Sequence, residues 1–394
     1  MLYGKVIVLK KIFLIGLAIL TILPLPVYAG APEVGAQSAV LYDPLTVEIL
    51  FEKNASVSRG IASTTKIMTA VAALEQYDPK QCVTIRPEWC GIEGSSMELC
   101  PGETMQISDL LYGLMLESGN DAATALAGLH PEGEAGFVAR MNEIAAELGL
   151  QDTHFENASG LDGASHYSSA LDLAKLTAFA MSRPDFARIV ATESVVAADR
   201  PMRNHNRLLK EIGACGVKTG FTKASGRCLV SAKTENGRML IAVTLDDPDD
   251  WADHTALYRW GFGQYRQYDP VGAGDCGSIP LAGGDRAAAR IYCNESFSAF
   301  LQPEEHERLR VVLSGPRFCY APITAGQRYG MLQVWLDGRL LFETPAYFAD
   351  TCGKSAAEGP GFLDRIRIFL RRLTLERTAS EDPFIRGNML PKNG

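Results

Sequence analysis

A serine stands three residues before a lysine in the segment Gly60-Ile61-Ala62-Ser63-Thr64-Thr65-Lys66-Ile67-Met68-Thr69-Ala70. Apolar residues at helical spacing (Ile67, Val71 and Leu74) predict a helix here, so that Ser63 and Lys66 share one face. Ser63 would lie at the helix N-terminus, where unpaired N–H groups and the dipole favour developing negative charge. Lys66 could take the serine proton, provided that burial or a second cation lowers its pKa.

An isolated Ser-x-x-Lys pattern is weak, because a helix-capping serine followed by a solvated lysine is common. Two further motifs follow along the chain, Ser118-Gly119-Asn120 and Lys218-Thr219-Gly220. In this order, the three motifs are the signature of the serine acyl-transferases that penicillin inhibits.

The sequence around these motifs narrows the match. Residues 91–97 (Gly-Ile-Glu-Gly-Ser-Ser-Met), the Ser-Gly-Asn-Asp-Ala-Ala run from Ser118 and the Lys-Thr-Gly-Phe-Thr run from Lys218 carry the resemblance. The chain resembles the low-molecular-weight penicillin-binding proteins, which are the D-alanyl-D-alanine carboxypeptidases of the bacterial cell wall. The resemblance extends over about residues 30–378 and is strongest from 38 to 262.

Bulk properties set the class of protein. The 394 residues are enough for two domains, and 47% hydrophobic with 21% charged residues is ordinary for a globular protein. A net charge of −8 argues against nucleic acid as a partner.

The N-terminus predicts a signal peptide over residues 1–29. Three lysines precede the apolar run 12–23, and Val27-Tyr28-Ala29 places small residues at the −3 and −1 positions of a cleavage site. The alternative is an uncleaved anchor, although the run is short for a membrane span. We therefore expect an exported protein.

Nine cysteines in an exported protein indicate some disulfides, and an odd number leaves at least one cysteine unpaired. Cys215 and Cys228 flank two strands of an apparent hairpin, so we predict a disulfide between them; two buried thiols are the alternative. Neither the cysteine spacings nor the six scattered histidines match a metal site. We expect no metal and no other cofactor.

Residues 30–263 predict an α/β domain. Segments 38–42 and 48–51 form an expected hairpin, and 217–221, 227–232 and 239–245 read as adjacent antiparallel strands. Helices are expected at 107–129, interrupted by Ser118-Gly119-Asn120, and at 135–148, 168–181 and 253–263. The resemblance implies a transpeptidase/β-lactamase-like fold, an antiparallel sheet covered by helices, with the site between sheet edge and helices.

The pattern of apolar segments and turn residues changes near Gln264. Short apolar segments alternate with Gly, Pro and Asp-Gly, and Asp337-Gly338 is a strong hairpin signal. We predict a small all-β domain at 266–350, which serves as a spacer or a partner-binding surface, and a linker at 351–361.

The segment 362–378 predicts a C-terminal amphipathic helix. It holds five arginines against two acids, and five apolar residues share one face: Phe362, Ile366, Phe369, Leu370 and Leu373. This pattern is typical of a helix on an anionic membrane surface; packing onto the protein's own core is the alternative. The resemblance implies the first of these, a tail helix that attaches the protein to the outer face of the bacterial cytoplasmic membrane.

The resemblance also implies the chemistry. Ser63 attacks the carbonyl of the penultimate D-alanine of a peptidoglycan stem peptide, and water hydrolyses the acyl-enzyme. Lys66 is the base, and Ser118 relays a proton to the leaving amine. β-Lactams acylate Ser63 as substrate mimics.

The remaining motif residues are expected to bind the substrate. Lys218 and Thr219 hold its terminal carboxylate, Asn120 holds the peptide amide, and Gly220 permits a close approach to the strand. The backbone N–H groups of Ser63 and Phe221 form the oxyanion hole. Some members carry an arginine beyond this strand pair, but residues 245–251 (Leu-Asp-Asp-Pro-Asp-Asp-Trp) contain none.

Two other functions stay open on the sequence. A β-lactamase would place a glutamate and an asparagine to activate water, and the nearest candidates are Glu156 and Asn157. A catalytically silent wall- or drug-binding protein is the other reading, against which the intact motifs argue.

Overall fold

The computed structural model describes residues 30–355 and 366–368. The predicted signal peptide, residues 356–361 of the predicted linker and all of the predicted tail helix except 366–368 lie outside the described residues. Residues 366–368 are helical, with exposed side chains. Within the described ranges, no helix has both the length and the apolar character needed to cross a bilayer.

The chain divides into two compact units. The N-terminal unit comprises the described residues up to Lys233 together with Met239–Gly261, and the C-terminal unit comprises Thr234–Arg238 and the described residues from Phe262 onward.

Nine strands and eight helices of the described residues lie wholly or for most of their length in the N-terminal unit. The strands are β1 (Ser38–Asp43), β2 (Glu48–Lys53), β3 (Cys82–Thr84), β4 (Thr104–Gln106), β5 (Ser194–Ala197), β6 (Arg200–Arg203), β7 (Gly216–Thr222), β8 (Gly226–Glu235) and β9 (Arg238–Leu245). The helices are α1 (Lys66–Gln76), α2 (Ile107–Leu116), α3 (Asn120–Gly128), α4 (Gly133–Glu147), α5 (Ala170–Met181), α6 (Pro184–Val190), α7 (Leu208–Ile212) and α8 (Asp250–Phe262). Two 3₁₀ turns lie at Ala62–Thr65 and Pro87–Trp89.

Five antiparallel strands form the main sheet, in the order β2-β1-β9-β8-β7. The central strands are mostly apolar and buried on both faces, as in Leu240–Leu245, where Thr244 is the one polar residue. The strand β7 lies at the edge of the sheet, so one side of its backbone is open to a ligand.

Helix α1 occupies the centre of the helical layer, since every residue from Lys66 to Ala73 is buried. It packs against α2, α3, α4 and α5. The small side chains of Ala70, Ala72 and Ala73 let these neighbours approach closely, and Ile67, Met68 and Val71 fill the core between them. The helix therefore holds its first residue, Lys66, in a dry environment.

The C-terminal unit is mainly β-structure, as expected. Its elements are β10 (Arg266–Val271), β11 (Gly274–Ala282), β12 (Ala288–Cys293), β13 (Phe297–Leu301), α9 (Pro303–Arg308), β14 (Leu309–Ser314), β15 (Cys319–Tyr320), β16 (Arg328–Leu336) and β17 (Arg339–Phe348). Six strands form one sheet in the order β14-β16-β17-β12-β11-β15, and β10 pairs with β13. Asp337 and Gly338 both have positive φ at the β16–β17 turn, which confirms the predicted hairpin.

The predicted disulfide between Cys215 and Cys228 is wrong. The register of β7 and β8 places Cys228 opposite Gly220, five residues from Cys215 along the strand. Five residues of extended chain span about 17 Å, and a disulfide requires Cα atoms within about 7 Å. The two cysteines flank the hairpin at positions that do not oppose each other.

Candidate active site

The Ser63 segment is a 3₁₀ turn that runs directly into α1, rather than the first turn of an α-helix. Thr64 and Thr65 brace the turn, since their hydroxyls donate to the carbonyls of Ile61 at 2.7 Å and Ala62 at 2.8 Å. Lys66 Nζ lies 2.9 Å from Ser63 Oγ. The predicted contact between the serine and the lysine is present.

Lys66 is completely buried, and its amine contacts two more oxygens. These are Asn120 Oδ1 at 2.7 Å and the Ser159 carbonyl at 2.5 Å. Burial lowers the pKa of Lys66 well below its ordinary value and the charge of Lys218 lowers it further, while Asp121 acts in the opposite direction. The environment therefore favours a neutral amine.

Ser118 lies in the short break between α2 and α3. The predicted helix 107–129 is interrupted there, as expected, and α3 begins at Asn120. Ser118 is nearly buried and adopts a left-handed conformation with φ of 61°, which is uncommon for a residue other than glycine. Residues held in such a conformation cluster at functional sites, where the surrounding structure maintains the strain, although turns also contain them.

Asn120 connects Lys66 to the segment before α2. Its Oδ1 accepts from Lys66, and its Nδ2 donates to the Glu93 carbonyl at 2.6 Å. Its backbone N–H donates to the Ser95 carbonyl at 2.7 Å. Both ends of the amide thus have protein partners in this structure, and binding of a peptide amide by Asn120 stays a prediction.

Asp121 is a site residue that the sequence interpretation missed. The carboxylate is completely buried and accepts from the Ser96 hydroxyl at 2.6 Å and from the N–H groups of Met97 and Leu99 at 3.0 and 3.1 Å. It therefore anchors residues 96–99 beside the Lys66 site. Its only sequence signal is its place directly after the Ser-x-Asn motif.

The edge strand β7 carries Lys218, Thr219 and Gly220. A Cβ on Gly220 would lie only 3.0 Å from the Ser63 nitrogen and 3.1 Å from the Ile61 oxygen and the Thr64 nitrogen. Glycine therefore lets the strand pack directly on the Ser63 turn. Phe221, which follows on the strand, has a side chain that is 65% exposed.

Lys218 is also buried, and its amine donates to the Thr219 carbonyl at 2.9 Å. Burial lowers its pKa to about 7. A lysine with this pKa changes its charge near neutral pH.

The loop 156–166 supplies the third contact of Lys66. Asn157 shapes this loop: its Oδ1 accepts from the N–H groups of Ser159 at 3.2 Å and Gly160 at 2.7 Å, and its Nδ2 donates to the Leu161 carbonyl at 3.0 Å. Gly160, with φ of 87°, lies so close to the Ala62 carbonyl that a Cβ would come within 2.1 Å of it. The loop is packed on the Ser63 turn.

His166 ties the same loop to the turn, and the sequence interpretation missed it too. Its Nδ1 accepts from the Glu156 N–H at 3.1 Å, so Nε2 carries the hydrogen and donates to Thr65 Oγ1 at 2.7 Å. Burial lowers the pKa of His166 to about 4, which keeps the ring neutral at ordinary pH.

The structure brings part of the predicted set together. Lys66 contacts both Ser63 and Asn120, Gly220 packs on the Ser63 turn, and Lys218 is close enough to influence the pKa of Lys66. The roles of Ser118, Thr219 and Phe221 stay predictions. Within residues 30–355 and 366–368, no group of three or more His, Cys, Asp or Glu side chains could hold a metal ion.

The fold and this site define a class, the serine hydrolases with the penicillin-binding-protein fold. A sequence profile described as D-alanyl-D-alanine carboxypeptidase matches residues 26–249, and one described as the C-terminal domain of penicillin-binding protein 5 matches residues 265–354. The chain belongs to the D-alanyl-D-alanine carboxypeptidase family, and it is a serine-type carboxypeptidase.

Individual relatives support the same family assignment. The chain is 31% identical over 352 residues to the D-alanyl-D-alanine carboxypeptidase DacD of Escherichia coli (strain K12). The aligned region covers 84% of this chain and 90% of the relative. It is 30% identical to DacF of Bacillus subtilis (strain 168) over 79% of this chain and 84% of the relative. Among solved structures, penicillin binding protein 5 from Haemophilus influenzae matches 83% of this chain and 100% of its own, with 26% identity and a TM-score of 0.60.

Proposed function

We propose that this enzyme removes the terminal D-alanine from peptidoglycan stem peptides through an ester on Ser63. Neutral Lys66 takes the Ser63 proton, and Oγ attacks the carbonyl carbon of the penultimate D-alanine. The N–H groups of Ser63 and Phe221 stabilise the resulting oxyanion. The C–N bond breaks as the leaving amine gains a proton through Ser118, and water then hydrolyses the ester.

The contacts of Lys66 carry this proposal. Asn120 Oδ1 and the Ser159 carbonyl oxygen can only accept hydrogen bonds. A neutral amine has two N–H groups, and donating both to these oxygens leaves its lone pair for the Ser63 hydroxyl. The site therefore supports Lys66 as the base that activates Ser63.

The loop contacts argue against a β-lactamase. Asn157 uses both ends of its amide to shape its own loop, and the exposed Glu156 side chain lies beside Gly163 of that loop. Neither residue supports the activation of a deacylating water. β-Lactams would instead act as inhibitors that acylate Ser63, because they mimic the D-alanyl-D-alanine end.

The test is D-alanine release from a blocked peptide that ends in D-Ala-D-Ala. Ser63→Ala should abolish both this release and covalent labelling by a fluorescent penicillin, whereas Ser58→Ala, at an exposed position before the motif, should leave both unchanged. Labelling that persists in Ser63→Ala would show that another residue is the nucleophile. Rapid penicillin hydrolysis without D-alanine release would identify a β-lactamase, and labelling without either turnover would identify a silent binding protein.

The proposed location is the outer face of the bacterial cytoplasmic membrane. The predicted signal peptide supports export, and the arginine-rich amphipathic segment 362–378 supports attachment to an anionic membrane surface. The exposed side chains of residues 366–368 are consistent with this role.

A further inference from the structure

The terminal carboxylate of the substrate needs a cation, and the segment after β9 does not provide one. Residues 245–251 contain four aspartates and no arginine. We infer that Arg227, at the start of β8, binds this carboxylate together with Lys218 and Thr219. The inference rests on the proposed function, because it names the residue that selects the free carboxylate.

The strand register places Arg227 on β8, directly beside the edge strand β7 that is proposed to bind the substrate. Arg227 pairs with Phe221, and Leu229 pairs with Thr219. Because side chains alternate along a strand, Thr219, Phe221 and Arg227 lie on one face of the β7–β8 pair. Thr219 is the diagonal neighbour of Arg227, at a distance of about 7–8 Å that a long side chain can span.

The guanidinium of Arg227 is held in place by one ion pair, and some of its hydrogen-bond donors have no partner among the described residues. Its Nη2 donates to Asp250 Oδ1 at 2.6 Å, and its centre lies 5.8 Å from the Trp251 ring. The arginine side chain is 43% exposed, whereas that of Asp250 is only 3% exposed. Among the described residues, Nε and Nη1 of Arg227 have no acceptor, so these nitrogens are available to a ligand carboxylate.

Charge gives Arg227 a role that Lys218 cannot fill alone. The buried amine of Lys218 has a pKa of about 7 and already donates to the Thr219 carbonyl. An arginine stays protonated at all relevant pH values and offers a planar pair of donors to a carboxylate. It also offsets the aspartates of 246–250, which would otherwise repel an anionic substrate.

The test compares two blocked peptides that end in D-Ala-D-Ala, one with a free carboxylate and one with a C-terminal amide. Arg227→Gln should lower kcat/KM for the free carboxylate by roughly 10- to 100-fold, the range expected for a hydrogen bond to a charged group. Release of D-alaninamide from the amide should change by less than about twofold, since it lacks the negative charge. Arg207→Gln is the matched control, because the Arg207 guanidinium also lies near the Trp251 ring, at 5.7 Å, but pairs with Glu211 instead of Asp250.

A double variant separates substrate binding from a structural ion pair. Arg227→Gln leaves the buried Asp250 without its cation, whereas Arg227→Gln with Asp250→Asn removes both charges. The double variant should remain as poor at selecting the free carboxylate as the single variant. Recovery of that preference would overturn the inference, as would an equal loss on both peptides or no loss on either.

Failure of the proposed function has a different signature. In that case the wild type releases neither D-alanine nor D-alaninamide, although fluorescent penicillin labels Ser63. The carboxylate comparison is then made with benzylpenicillin and its methyl ester, by their acylation rates. Arg227→Gln should slow only the free acid, and equal effects on both compounds would again overturn the inference.

Discussion

At the scale of single residues, the site depends on two lysines that the fold keeps dry. Lys66 and Lys218 are both buried, and burial lowers both pKa values. Keeping an ammonium in such a place costs free energy, so each lysine gives up its proton more readily than in water. The burial that favours a neutral Lys66, as the proposed base requires, therefore also makes the stability of the fold depend on pH.

Lys218→Met should weaken this dependence. The pKa of Lys218 is about 7 in the folded chain, and that of an unfolded lysine is about 10.4. Between these values the unfolded chain binds more protons, so the free energy of unfolding rises with pH through this window. Chemical denaturation at pH 7 and pH 10 should show a smaller rise for the variant than for the wild type, with exposed Lys223→Met as the control. An identical rise in all three proteins would contradict this prediction.

His166 should act as a positioning residue. His166→Ala removes the acceptor of the Glu156 N–H and the donor to Thr65, which should lower stability by about 1–3 kcal/mol and slow acylation of Ser63. His166→Gln can accept and donate at nearly the same positions and should restore most of the acylation rate. Stopped-flow labelling with a fluorescent penicillin measures this, and a glutamine variant as slow as the alanine variant would argue against the hydrogen-bonded link.

The sequence motifs predicted the reactive residues of the site, but they did not predict the contacts that hold those residues in place. Ser63, Lys66 and Lys218 stand in motifs whose chemistry can be read from side chains, and Lys66 does contact Ser63. The Ser159 carbonyl could not be found in this way, because any residue has a backbone oxygen. Asn157 looked like a possible water-activating residue because the sequence does not show that its amide is used within its own loop.

At the scale of secondary-structure elements, the site is a junction between the edge strand β7 and the 3₁₀ turn before α1. The predicted helices and strands around it were found within a few residues, because their apolar periodicity is strong. Short elements such as α6, α7 and the β5–β6 hairpin were missed, since four to seven residues carry little periodicity. The wrong cysteine pairing has a related cause, because sequence alone does not fix the strand register.

Gly220→Ala tests this junction. The new methyl group would press on the Ser63 and Thr64 nitrogens at 3.0–3.1 Å and push β7 away from the turn. Since the predicted oxyanion donors come from both elements, acylation should slow by about 10²-fold or more, comparable to the loss of one donor. Gly272→Ala is the control, because a Cβ there has no atom within 4 Å. Equal acylation rates for both variants, measured with fluorescent penicillin, would show that the close approach is not required.

At the scale of the whole molecule, the chain combines an α/β unit that contains the site with a mainly β unit. The change in the pattern of apolar segments and turn residues near Gln264 predicted the β-rich unit. The match of residues 265–354 to the C-terminal domain of penicillin-binding protein 5 agrees with that prediction. Alternation and turn residues suffice to recognise a β-rich segment, but they do not specify the six-stranded order, which requires pairings between distant strands.

Removal of the tail should release the enzyme from membranes without changing its chemistry. Each arginine near an anionic surface contributes about 1 kcal/mol, and the apolar face of 362–378 adds buried area, while ordering of the segment offsets part of this gain. The mature chain should therefore sediment with anionic liposomes at low salt and less well at high salt. Truncation after Gly359 should abolish sedimentation and leave D-alanine release from small peptides intact.

A charge-matched pair of variants identifies which face of the tail acts. Ile366→Glu with Phe369→Glu places two acids on the predicted apolar face, whereas Ala379→Glu with Ser380→Glu adds the same charge beyond the segment. If the apolar face enters the membrane, the first pair should prevent sedimentation at any salt concentration and the second should only weaken it, because only the first removes buried area. Equal weakening by both pairs would mean that net charge alone binds the chain to the liposome. A truncated protein that still sediments like the intact chain would place the attachment elsewhere.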